Sequence, residues 1–271
     1  MILSTTTQVV ITIVAIACYF SSFAMYLQRL SKATFIENST AIASTCLGVL
    51  LHGLIAYTSL NTTDGIDLGI QSSSVLVTWV ISVFLLLALI RLRVSSLFVV
   101  ILPLSITALI FSLLGDSSYL PRTNLTSALI IHILLSIIAY STLFMASSQA
   151  LVLAIQERNL RNHEKIRIVR LLPPLETMER LLFWLLWLGI AFLTLAIASG
   201  FMFMESMFAQ HVVHHTVLST SAWLMYAVLL TGHKVFGWRG IRAIKWTLLS
   251  FGLLVLGYFG SKFVLEIVLI P

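Results

Sequence analysis

LTSALIIHILLSIIAYSTLFMASSQALVLAI, from Leu125 to Ile155, contains no aspartate, glutamate, lysine or arginine. An α-helix rising 1.5 Å per residue needs about 20 such residues to cross the hydrocarbon of a bilayer. This stretch is longer than that, and a strand in lipid would leave its backbone amides unpaired, so it predicts a membrane-spanning helix. Its one costly side chain is His132, because imidazole in hydrocarbon must be paired, hydrated or bound to something.

Similar apolar runs occupy about residues 6–28, 39–60, 73–90, 95–114, 181–204, 214–233 and 243–269. The predicted fold class is therefore all-α: a polytopic membrane bundle of about eight transmembrane helices. Composition agrees, with 59% apolar and 10% charged residues, where soluble domains carry about a quarter charged. A mean hydropathy of +1.04 excludes a water-soluble enzyme, whose surface would be too apolar for water. The spans nearly exhaust the 271 residues, so we expect a single transmembrane domain over 1–271, without internal repeats. A cytoplasmic helical extension and loop is expected at about 156–180, where Pro173 and Pro174 stop a helix. The first run lacks a basic leader and is expected to be retained as the first span. Pro103 should bend or loosen the fourth helix. Cys18 and Cys46, without a CxxC pair, read as small membrane residues.

Basic residues set the expected orientation. Arg29 and Lys32, Arg91 and Arg93, the group from Arg158 to Arg180, and the group from Lys234 to Lys245 fall on alternate loops, leaving Arg122 and Lys262 opposite. The positive-inside rule then puts both termini outside. The net charge of +6 is spread over the inner loops and suits anionic lipid head groups, not nucleic acid.

Of seven histidines, His163 and His233 read as solvated or near the lipid surface. His52 and His132 each lie about 10–12 Å inside the expected outer face, at 1.5 Å per residue. His211, His214 and His215 enter from the same side. Each alone could bond a backbone carbonyl or a serine, with Ser136, Ser141 and Thr142 available locally. Clustered in one half of the membrane, they point to a shared guest. One candidate is haem, whose iron takes axial imidazoles from separate helices; Arg122 and Lys262 would then be the cations for its propionates. The alternative is a divalent cation held by His211 and His215 at i, i+4 with Glu205, as in a carrier or sensor. A third reading is a membrane scaffold whose inner loop docks a cytoplasmic partner. No acid–base or nucleophile constellation is present, so no enzyme is expected.

Several strings resemble one family. Leu51-His52-Gly53, the run from Ile131 through His132 to Tyr140, and His214-His215-Thr216-Val217-Leu218-Ser219 followed by Trp223 look like the cytochrome c assembly family of haem-handling membrane proteins, the CcsA/CcmC type. They are most similar to its small HemX/YpjD-like branch, as are Leu171-Leu172-Pro173-Pro174-Leu175-Glu176 and Gly257-Tyr258-Phe259-Gly260-Ser261-Lys262-Phe263. The resemblance implies a bacterial inner-membrane protein binding or passing b-type haem. It implies His132 as an iron ligand, His215 as the next best match, and His52 as a ligand or the support of one. Other membrane or cytochrome-biogenesis proteins would be its partners. Haem-delivering members carry an external Trp-rich loop ending in Trp-Asp. Here Trp79, Trp184, Trp187, Trp223, Trp238 and Trp246 all fall in expected helices or inner loops.

Overall fold

The computed structural model describes residues 5–32, 39–63, 65–90, 95–114, 126–161, 172–203, 213–260 and 263. These residues form eight α-helices, one at each expected apolar run: α1 (Thr5–Lys32), α2 (Ser39–Leu60), α3 (Ile70–Leu89), α4 (Phe98–Phe111), α5 (Ser127–Arg161), α6 (Leu175–Phe203), α7 (Val213–Phe236) and α8 (Ile241–Val255). Six are long and apolar enough to cross a membrane: α1, α2, α3, α5, α6, and α8 with its continuation to Gly260. Large apolar side chains such as Leu50, Leu114, Trp184 and Leu249 lie on exposed faces, which suits lipid as the surrounding solvent. The chain is a helical membrane protein.

The described residues fall into two compact units, α1–α4 and α5–α8. In the first, the helices pack in cyclic order, each against its sequence neighbours and α4 back onto α1. Short connections favour such antiparallel neighbours. The α2–α3 connection contains a two-stranded hairpin, Asn61–Thr62 against Gly65–Ile66. Buried Asp67 follows it, accepting hydrogen bonds from the Gly69 backbone N–H at 2.7 Å and the Ser72 hydroxyl at 2.9 Å. A carboxylate there satisfies the Gly69 N–H just ahead of α3 and suits the positive end of that helix's dipole. Pro103 sits inside α4, which continues through it for the rest of its 14 residues.

Three pairs of hydroxyl side chains inside this first unit are joined across helices. Ser22 meets Thr45 at 2.6 Å, Ser21 meets Ser44 at 2.8 Å, and Ser82 meets Ser105 at 2.9 Å. Such pairs tie transmembrane helices together without a hydrophobic driving force. Gly53 admits the Trp79 indole, whose N–H donates to the Val49 carbonyl at 3.0 Å; a Cβ there would lie 2.7 Å from Nε1.

The second unit is also a four-helix ring: α5 on α6, α6 on α7, α7 on α8, and α8 back on α5. Thus α5 and α7 face each other across the ring. After Val255 the chain widens into a π-helical turn, Leu256–Gly260. At the close α5–α6 contact, Gly189 lies against buried Leu143, where a Cβ would approach Cδ2 to 2.5 Å. Gly189→Ala should therefore force the helices apart and cost about 1–3 kcal/mol, as overpacking does. Thermal unfolding in detergent measures it.

Candidate haem-binding histidines

His132 lies in the second turn of α5 and reaches across to α6. Its Nδ1 is 3.0 Å from the Ala196 carbonyl oxygen and 3.0 Å from Ser199 Oγ. A carbonyl only accepts, so Nδ1 carries the proton and donates to it, while Ser199 donates its own hydrogen to the same carbonyl at 2.8 Å. In the neutral ring, Nε2 then holds the lone pair, and among the described residues it has no hydrogen-bond partner. A backbone carbonyl fixing Nδ1–H is the arrangement that orients metal-binding imidazoles. The carbonyl and serine expected as alternative partners are present, but they come from α6. Thr142 instead donates to Ile138 at 2.8 Å, and the Ser141 hydroxyl is buried without a partner.

His215 lies near the start of α7, half-buried, within electrostatic reach of His132. The N-terminal ends of α5 and α7 thus meet the C-terminal end of α6. The α8 end joins them, because the Tyr258 ring stands edge-on to His215 with centroids 6.0 Å apart. Tyr258 belongs to the π-turn, a departure from α-geometry frequently found at functional sites. Two imidazoles from separate helices, one with its tautomer fixed, thus lie at this end of the unit. His214, the neighbour of His215, is exposed on the α7 surface.

His52 belongs to the other unit and has a different setting. It is fully buried in α2, with Nδ1 3.1 Å from the Tyr19 hydroxyl of α1. Its Nε2 is buried without a hydrogen-bond partner. The Val75 backbone is its polar neighbour in α3 but lies outside hydrogen-bond geometry. Tyr19 also packs on Gly48, where a Cβ would lie 2.9 Å from the ring. His52 is thus built into a tight α1–α2 contact.

Arg122, Lys262, His211 and Glu205 lie outside the described residues, as does His163. Among the described residues no group of three or more His, Cys, Asp or Glu could hold a metal ion. His233 is half-buried: its ring stacks on Phe183 with centroids 3.4 Å apart, and Nδ1 donates to the Trp238 carbonyl at 2.8 Å. Ser199, Tyr19 and Tyr258 were not singled out from the sequence, since their roles depend on contacts between helices distant along the chain.

Residues 41–269 match the family described as Cytochrome C assembly protein. The chain is 28% identical over 261 residues to the protein named Inner membrane protein YpjD in Escherichia coli strain K12, covering 96% of this chain and 99% of that protein. The relative of the same name in Escherichia coli O157:H7 matches with the same identity and coverage. A protein of Azospirillum brasilense, named Uncharacterized 28.8 kDa protein in nifR3-like 5'region, is 33% identical over 141 residues, covering 51% of this chain and 52% of that protein. No solved structure matches the chain. The matched region contains His52, His132 and His215, and the chain belongs to the cytochrome c assembly family.

Proposed function

We propose that this protein is a non-catalytic haem-handling component of the bacterial inner membrane, binding or passing b-type haem through His132 and His215. The observation that carries this reading is the anchored His132 ring. Its Nδ1–H is committed to Ala196 and Ser199 of α6, so the opposite nitrogen is the one available to a metal, and His215 of α7 stands within electrostatic reach. The donor chemistry supports the group, because a haem iron takes imidazole nitrogen and His132 Nε2 has no hydrogen-bond partner among the described residues. If bound, haem would supply a redox-active iron, and His132 and His215 would be the residues that hold it.

The family match and the relatives named as inner-membrane proteins support the setting. In this reading all eight helices span the membrane, both termini lie on the periplasmic side and the histidine end faces outward. Arg122 and Lys262 then offer cations to the haem propionates at that side, and His214 borders the site. Cytochrome-biogenesis proteins are the partners this family implies. His52 acts as a support within its own unit, where Tyr19 holds it.

The test is the visible absorption spectrum of protein purified from haem-replete cells, followed by haemin titration. A Soret band, or saturable haemin uptake near one equivalent, is the expected result. A colourless protein that takes up no haemin overturns the reading.

A further inference from the structure

Inside the α5–α8 ring a group of buried hydroxyls lacks the pairing that joins the serines and threonines of the α1–α4 unit. Ser141, Ser147 and Ser148 on α5, and Ser219 and Tyr226 on α7, have buried hydroxyls without a hydrogen-bond partner. Their spacing is ordered. His215, Ser219 and Tyr226 are separated by four and seven residues and share one face of α7; Tyr140 with Ser147, and Ser141 with Ser148, repeat at seven on α5.

The two faces come together across the ring. Ser219 lies beside Tyr140, and Ser147 beside Tyr226, yet neither serine hydroxyl completes a hydrogen bond. Tyr140 spends its own proton on the Leu254 carbonyl of α8 at 2.9 Å. Its ring is 5.8 Å, centroid to centroid, from Tyr258, which stands against His215. Buried hydroxyls therefore recur at the Ser147/Tyr226 level and again at the Ser219/Tyr140 level, towards the histidine end.

Buried hydroxyls that neighbour one another without bonding are costly unless something bridges them. The bridging group must both donate and accept, carry no charge and fit between serines and phenols. Water meets all of these requirements, making two to four hydrogen bonds in a polar niche. None of these side chains is a carboxylate or a cation, which argues against a bound ion. We propose that the α5–α7 face holds a short chain of bound water molecules that joins Ser147, Ser148 and Tyr226 to Ser219 and ends beside His215.

Pulsed X-ray radiolysis of the full-length haem-free protein in detergent, read by mass spectrometry, tests this, because hydroxyl radicals form where water is bound. Tyr19 and Tyr226 are both 0% exposed, whereas Tyr57 is 60% exposed; these three tyrosines form an internal comparison. Tyr226 should be oxidised at least about ten-fold faster than Tyr19, at a rate approaching that of Tyr57, if ordered water lies against it. In the Ser147→Ala/Ser148→Ala protein, Tyr226 oxidation should fall by about five-fold or more while Tyr57 is unchanged, because the water loses its partners. Tyr226 as silent as Tyr19 overturns the proposal. So does labelling of Tyr226 that ignores removal of both serine hydroxyls. Should the double variant fail to fold, the comparison of Tyr226 with Tyr19 in the unmodified chain decides alone.

Discussion

His132→Ala protein should purify folded and without a Soret band. The substitution removes the imidazole whose orientation α6 fixes, and alanine offers no replacement nitrogen. The loss in haem affinity should exceed 100-fold, beyond the roughly 10–100-fold expected for disturbing a partner behind a metal ligand. Ser199→Ala supplies the graded comparison. It leaves the Ala196 carbonyl to hold Nδ1–H and should weaken haem binding by only about ten-fold, the low end of that range. Stability should change little in His132→Ala, by about 1 kcal/mol, because one net hydrogen bond of a half-buried ring is lost. Haemin titration and thermal unfolding of the haem-free proteins separate these effects. A full Soret band in His132→Ala rules out this ligand assignment.

His52→Ala should do the reverse. The ring is 0% exposed and accepts or donates one hydrogen bond with Tyr19, so truncation opens a cavity and strands a buried phenol hydroxyl. Cavity formation at large buried side chains costs about 2–5 kcal/mol, and an unpaired buried hydroxyl adds about 1–3 kcal/mol. Together with partial collapse, a net loss of about 3–5 kcal/mol is expected, enough to lower the unfolding temperature by many degrees. Haem affinity of the surviving folded protein should remain within a few-fold of the original. If instead the Soret band vanishes while the unfolding temperature holds, His52 belongs to the ligand set. Tyr19→Phe provides a milder version, since it removes the hydroxyl and leaves the packing on Gly48 in place.

The helices were legible because hydrocarbon imposes a length: runs free of charge at residues 6–28, 39–60 and 125–155 became helices over 5–32, 39–60 and 127–161. Edges moved by several residues where a helix continues past the lipid-compatible segment, as α5 does to Arg161. His132 and His215 stood out by the cost of imidazole in lipid. Their partners did not, because Ser199 lies 67 positions from His132 and a serine near a helix end carries no distinguishing signal. Tyr140 and Tyr226 were hidden for a related reason. A tyrosine in an apolar run reads as a membrane-interface aromatic, and only packing shows its hydroxyl turned inward. The repeat of serine and tyrosine at seven along α5 and α7 was present in the sequence. It gains meaning only once those helices are known to face each other across a ring.

The π-turn at Leu256–Gly260 has a consequence for how the family can vary. A turn that spans five residues instead of four is equivalent to one residue inserted into an ordinary helix. The wide turn absorbs that residue locally, so deleting a single position there would restore regular winding and shift the side chains within the turn itself. The Tyr258 ring would then leave His215, so a relative lacking that extra position must contact this imidazole with a different side chain.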